Sequence, residues 1–130
     1  MSARRNILIT GATGFLGSHL AARLLQQGCE VTAVVRGSKS ASPRSRVENV
    51  LHDVGLSQFG NLKVVEGDIS LPGLGLSEPV KKEIVAQTGE IWHCAASLSF
   101  QQEDREEIFA MNVDGTRHVL DLVKQTRTRR

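Results

Sequence analysis

Three glycines, Gly11, Gly14 and Gly17, fall within Thr10-Gly-Ala-Thr-Gly-Phe-Leu-Gly17, and that stretch constrains the fold more than any other. The apolar run Asn6-Ile-Leu-Ile-Thr10 before it reads as a short buried strand. After it, Phe15, Leu16, Leu20, Leu24 and Leu25 recur at helical spacing between Gly14 and Gln27, and Gly28 marks the stop. The chain must therefore leave a strand and enter a helix almost at once. Gly11 permits the tight turn out of the strand. Gly14 has no Cβ, so a pyrophosphate can approach the helix N-terminus, where backbone N–H groups and the helix dipole favour anions. Gly17 lets the helix pack closely on the sheet. The G-x-x-G-x-x-G spacing between strand and helix is the logic of a dinucleotide loop, with Gly11, Thr13, Gly14, Phe15, Leu16 and Gly17 as its candidate contacts. The competing reading is a glycine-rich turn with no ligand. A P-loop is excluded, because no lysine precedes Ser18.

The same alternation continues. Glu30–Val35, Asn61–Glu66 and Glu90–Cys94 read as further strands, and Pro43–Val54, Glu78–Thr88 and Asp104–Gln125 as helices. This predicts an α/β fold, a Rossmann-like parallel sheet with helices on both faces. With four strands in the order 3-2-1-4 it is truncated relative to the roughly six of a complete doubly wound fold. Residues 1–130 are expected to form one dinucleotide-binding domain, incomplete at the C-terminus. The fourth strand is then an open edge, and the isolated chain is expected to self-associate through it or to be marginally stable. In the last helix, Phe109, Val113, Leu120 and Val123 are expected to face the core.

Strand two ends in Arg36, where a carboxylate would hydrogen-bond the adenosine ribose of NAD. Lys39, Arg44 and Arg46 follow. A guanidinium suits a 2′-phosphate, so NADP(H) is expected over NAD(H). The bland alternative makes Arg36 a solvated loop residue.

Composition narrows the remaining classes. Of 130 residues, 40% are hydrophobic and 23% charged, as in an ordinary globular domain. Net charge is +2, but without Arg4, Arg5, Arg127, Arg129 and Arg130 the body carries −3. With only 4% aromatics there is no basic stacking face, and no nucleic-acid partner is expected. No apolar run is long enough for a membrane span, no signal-peptide profile opens the chain, and a cytoplasmic setting is expected. Cys29 and Cys94 lack zinc or redox spacing and read as buried small hydrophobes. His93 reads as a packed strand-end residue, and no metal site is expected.

The glycine loop resembles the cofactor loop of the extended short-chain dehydrogenase/reductase family. Gly67-Asp68-Ile69 resembles that family's segment against the adenine. His93-Cys94-Ala95-Ala96 resembles its H-x-A-A strand end beside the pyrophosphate, and Asn112-Val-Asp-Gly115-Thr116 its N-V-x-G-T. The resemblance runs from Asn6 to about Lys124. Val34-Val-Arg36-Gly, the Gly67–Ser77 segment and Ala95-Ala-Ser-Leu-Ser-Phe100 are similar to the thioester reductase and fatty acyl-CoA reductase branch, the male sterility type. This resemblance implies NADPH-dependent reduction of an acyl thioester to an aldehyde or alcohol. Sugar-nucleotide epimerases and dehydratases share the same front half.

Read from the residues, Ala95, Ala96 and Ser97 follow a strand's carboxyl end, where small side chains leave room for a flat cofactor or allow close helix packing. Asp68 either accepts from an adenine amino group or caps a loop. Asn112 lies mid-helix, where Asn is unfavourable, and a buried hydrogen-bonding role in support of the active site is one reading.

The family's chemistry, as the resemblance implies, uses a Ser or Thr with Tyr and Lys in Tyr-x-x-x-Lys spacing. This sequence contains no tyrosine. Three expectations follow: an N-terminal part of an acyl-thioester reductase whose substrate is handled only in a longer chain, a sugar-nucleotide enzyme's front half, or a non-catalytic NADP(H)-binding module.

Overall fold

A computed structural model describes residues 5–38, 40–95 and 105–126. The first strand, β1 (Asn6–Thr10), lies in the middle of a four-stranded parallel sheet of order β3-β2-β1-β4. Its neighbours are β2 (Glu30–Val35) and β4 (Glu90–His93), with β3 (Leu62–Glu66) beyond β2. The register aligns Thr10 with Val34 on one side and with His93 on the other. The carboxyl ends of β2, β1 and β4 therefore come level at one end of the sheet. Among the described residues no strand pairs with β4 on its outer side.

Strand side chains alternate between the faces, and each face has its own core. Ile7, Ile9, Val31, Ala33 and Val35 pack with Ala21, Leu24 and Leu25 of α1 (Phe15–Gln26) and with Val47 and Leu51 of α2 (Pro43–Asp53). Leu8 and Val34 face the other way. They meet Ile84 of α3 (Glu78–Gln87), Val119 and Leu122 further along the chain, and Ile69 and Leu74 from the loop after β3. Covering both faces explains why the strands are almost wholly apolar.

Local chemistry sets the helix ends. Gly28 and Gly55 take positive φ just beyond α1 and α2, a conformation that stops a helix at little cost in glycine. The Ser42 side chain accepts from the Ser45 N–H at 3.1 Å, and Pro43 sits in the first turn of α2.

The last helical stretch differs from expectation. It is not one helix but α4 (Arg105–Phe109), a π-helical turn over Ala110–Asp114, and α5 (Gly115–Gln125). A π-turn inserts an extra residue and rotates everything after it by about 100°. The inward face becomes Gly115, Val119 and Leu122. Phe109 and Leu120, read as core from their spacing, are 56% and 55% exposed; Val113 is exposed and Val123 half-buried. Asp104, the expected start of this helix, lies outside the described residues.

Candidate functional site

The glycine loop turns out of β1 at the level edge of the sheet. Gly11 has φ +79°, and a Cβ there would come within 2.6 Å of Cys94 C and Ala95 N. A Cβ on Gly17 would lie 1.9 Å from the Gly11 carbonyl oxygen. The fold itself demands glycine at both positions. Gly14 is different. Its φ of −83° suits any residue, and a Cβ there meets nothing nearer than the Gly11 oxygen at 3.4 Å. Gly14 precedes α1, whose N-terminus has no side-chain cap and no acidic residue in its first turn. That end keeps its positive character and an unobstructed approach.

The β4 tip is tied to this loop by Thr10, which is fully buried. Its hydroxyl accepts from the backbone N–H groups of Cys94 (3.1 Å) and Ala95 (3.2 Å) and lies 2.6 Å from Nδ1 of His93. On its far side His93 approaches the Thr116 hydroxyl, with Nε2 at 3.3 Å, and Thr116 donates to the Asn112 carbonyl at 2.9 Å. Burial lowers the His93 pKa and keeps the ring neutral. Burial also raises the Cys94 thiol, which disfavours the reactive thiolate. Cys29 and Cys94 are both free thiols.

At the end of β2, Arg36 and Arg46 stand together, with Arg46 Nη1 donating to the Arg36 carbonyl at 2.6 Å. Arg36 Nε lies 3.7 Å from Asp68 Oδ2. The other Asp68 oxygen accepts from the Ser70 N–H (2.9 Å) and hydroxyl (2.6 Å), so in this structure Asp68 caps its own loop. Burial pushes the Asp68 carboxyl up, but the Ser70 hydrogen bonds and the Arg36 charge outweigh it and hold the pKa below the ordinary value. Arg44 is turned away, contrary to its expected place in the basic group. It donates to the Leu62 carbonyl at 2.9 Å and pairs with Glu48, fastening α2 to the start of β3. Lys39 lies outside the described residues.

These elements enclose a cleft of about 490 Å³, within the range of small-molecule and cofactor sites. Gly11, Thr13, Gly14, Phe15, Leu16, Gly17, Arg36, Arg46, Ile69 and Ala95 line it, all of them singled out in the sequence. Ile69 is held there by its carbonyl, 2.7 Å from the His118 Nδ1 on α5. Asp68 lies instead on an adjoining hollow with Arg36, Gly37 and Glu66. Asn112 is on the π-turn, outside the cleft lining. Ala96 and Ser97 lie outside the described residues. Sequence reasoning missed Val34, Val35 and Cys94 as cleft walls, and it missed the Thr10–His93–Thr116 hydrogen bonds. Among the described residues no group of three or more His, Cys, Asp or Glu gathers to hold a metal. No helix among them is long and apolar enough to cross a membrane.

A parallel 3-2-1-4 sheet with a glycine turn and a helix N-terminus at its carboxyl edge defines a Rossmann-like α/β domain. The model of an NAD-binding family described as male sterility protein matches residues 9–130, and the chain belongs to that family, an extended short-chain dehydrogenase/reductase type. It is 34% identical over 132 residues to human fatty acyl-CoA reductase 1, covering 93% of this chain and 25% of that protein. The chain thus spans about a quarter of the curated reductase's length. Among solved structures it is similar to the terminal R domain from the myxalamid PKS-NRPS biosynthetic pathway. The TM-score is 0.85 at 34% identity, over 99% of this chain and 34% of that one. The Bordetella bronchiseptica enzyme WbmH, solved with NAD+, superposes with a TM-score of 0.64 at 26% identity, over 95% of this chain and 36% of that one.

Proposed function

We propose that this chain binds a nicotinamide dinucleotide, NADP(H) in preference to NAD(H), as part of a reductase acting on acyl thioesters. The observation that carries the binding reading is Gly14. The fold explains Gly11 and Gly17 by collisions inside the protein, but nothing inside the protein requires glycine at position 14. A side chain there would obstruct only what approaches the helix N-terminus, and a pyrophosphate is the group that such an end attracts.

The rest of the cleft fits the remaining parts. Ile69, Val34 and Val35 supply an apolar wall for an adenine ring, and the guanidinium groups of Arg36 and Arg46, lining the cleft at the end of β2, support a 2′-phosphate there. Ala95 keeps the β4 side shallow beside the loop. When bound, the reduced dinucleotide supplies a hydride; these residues hold and orient it. The similarity to fatty acyl-CoA reductase 1 and to the R domain supports an acyl thioester as the acceptor. The two free thiols suit a cytoplasmic setting. No tyrosine occurs in these 130 residues, so the reading assigns them cofactor binding and not proton transfer.

One observation favours the other cofactor. The Glu66 carboxylate reaches over Gly37, where a Cβ would lie 1.7 Å from Oε1, and it places a negative charge near the expected 2′-phosphate. Titration of the purified chain with NADPH and with NADH, followed by nicotinamide fluorescence, tests both parts. Tighter NADPH binding supports the proposal, tighter NADH binding overturns the NADP(H) preference, and binding of neither overturns the site.

A further inference from the structure

The hydrogens around Thr10 can be placed one by one. A threonine hydroxyl has one hydrogen to give and two lone pairs to accept with. Two backbone N–H groups point at Thr10 Oγ1, that of Ala95 at 3.2 Å and that of Cys94 at 3.1 Å, the latter shared with the Thr10 carbonyl at 3.0 Å. Its hydrogen must then go to His93 Nδ1, 2.6 Å away, which has to be bare. A neutral imidazole with a bare Nδ1 carries its proton on Nε2. That N–H points at Thr116 Oγ1, 3.3 Å away, which accepts because its own hydrogen is given to the Asn112 carbonyl at 2.9 Å. In this order every donor in the series has an acceptor.

The series joins three pieces of chain far apart in sequence: the strand end opening the glycine loop, the β4 tip, and the first turn of α5 with the π-turn before it. Two of them wall the cleft, through Gly11 and through Cys94 and Ala95. Gly11 touches the β4 backbone so closely that no Cβ fits between, so a small shift of β4 moves the loop. The third piece, carrying Thr116 and Asn112, does not line the cleft at all. His93 is the link between them. π-turns within helices recur at functional sites, and this one presents the carbonyl that ends the series.

We propose that His93, fixed as the Nε2–H tautomer between Thr10 and Thr116, is a positioning residue that locks the glycine loop and β4 tip to the first turn of α5, so that dinucleotide affinity depends on a Thr116 hydroxyl lying outside the cleft. This rests on the reading of the cleft as a dinucleotide site.

The test uses the purified chain in two measurements. Nitrogen-15 shifts of the His93 ring report the tautomer directly: a protonated Nε2 and a bare Nδ1 are expected, and a protonated Nδ1 overturns the assignment. Nicotinamide fluorescence titration then compares the wild type with Thr116→Val, which keeps the shape without the hydroxyl, and with Thr116→Ser, which restores it. Thr116→Val is expected to weaken the wild type's preferred dinucleotide about fivefold, the worth of one hydrogen bond, and Thr116→Ser to recover it. Equal affinity in all three overturns the positioning role while leaving the site reading intact. Absence of binding by the wild type overturns the site reading and the positioning role with it, and the ring shifts still decide the hydrogen-bond order. If Thr116→Val does not fold, Thr116→Ala takes its place, with the thermal melt of each variant as the check on folding.

Discussion

Gly17 stands against Gly11 so closely that a methyl group on Gly17 would come within 1.9 Å of the Gly11 carbonyl oxygen. Three residues earlier, a Cβ on Gly14 would meet nothing nearer than the same oxygen at 3.4 Å, an ordinary contact. The two positions therefore separate folding from binding. Gly17→Ala forces the loop off the helix and is expected to destabilise the chain by about 2–4 kcal/mol, as overpacking against a backbone atom does. Gly14→Ala is expected to cost under about 1 kcal/mol, the penalty of a poor N-cap. It should nonetheless weaken dinucleotide binding at least about tenfold by crowding the helix N-terminus. Urea melts and fluorescence titrations of both variants check this; binding unchanged in Gly14→Ala contradicts the site.

The proposal puts cofactor choice at the end of β2. Arg36→Ala is expected to weaken NADPH about tenfold, a charge-assisted contact in a solvent-screened position, and NADH little. Glu66→Gln should strengthen NADPH about two- to threefold by removing a nearby like charge. Equal losses for both dinucleotides in Arg36→Ala would place the arginine's role elsewhere.

The π-turn makes a contrast between two leucines of α5. Leu122 is 1% exposed, and Leu122→Ala is expected to cost about 2–5 kcal/mol. Leu120→Ala, on the outer face, should fall within about 0.5 kcal/mol of the wild type. Similar losses in the two variants would restore the uninterrupted helix that the spacing suggests.

Acid should act in two stages. Burial holds His93 below its ordinary pKa of about 6.5, so on acidification the unfolded chain takes up that proton first. Stability therefore falls as pH drops from about 6.5 through the lower folded value, and above about 6.5 the effect vanishes. Asp68, held below the ordinary carboxylate value of about 4, contributes stability above that value and loses it as pH falls through its folded pKa. Urea melts across this range should show a shallower upper decline in His93→Gln and an unchanged lower one. An unaltered upper decline in that variant excludes His93 as its source.

The outer edge of β4 is four residues long, and at its start Glu90 is paired with Arg5 at 2.6 Å. Open edges of parallel sheets pair with other chains, and the purified chain is expected to self-associate with rising concentration. Light scattering decides it; a monodisperse monomer at high concentration counts against the edge.

The sheet was legible because each strand is a short, mainly apolar or β-branched run and each is followed by a helical period. The first two helices closed where glycine and proline chemistry placed their ends. The strand order was legible too, since alternating strands and helices behind a glycine loop imply the doubly wound order. What was not legible came from tertiary geometry. A π-turn leaves no mark in hydrophobic spacing, so Val113 and Leu120 read as core. Arg44 and Arg46 look alike in sequence. Only the direction of α2 sends one to the Leu62 carbonyl and the other to Arg36. The Thr10–His93–Thr116 series joins residues 83 and 23 positions apart, a distance across which no local pattern signals contact.

The placement of the first strand in the middle of the sheet has a consequence for the order of assembly. β1 finds β2 across a short connection, Thr10 opposite Val34, but its other edge waits for His93. Closing the longer loop costs more chain entropy and comes later. On a ribosome, β1, β2 and β3 can pair while β4 is still being made. The cleft closes only when the β4 tip docks on Thr10, so the capacity to hold a dinucleotide waits until β4 has left the ribosome.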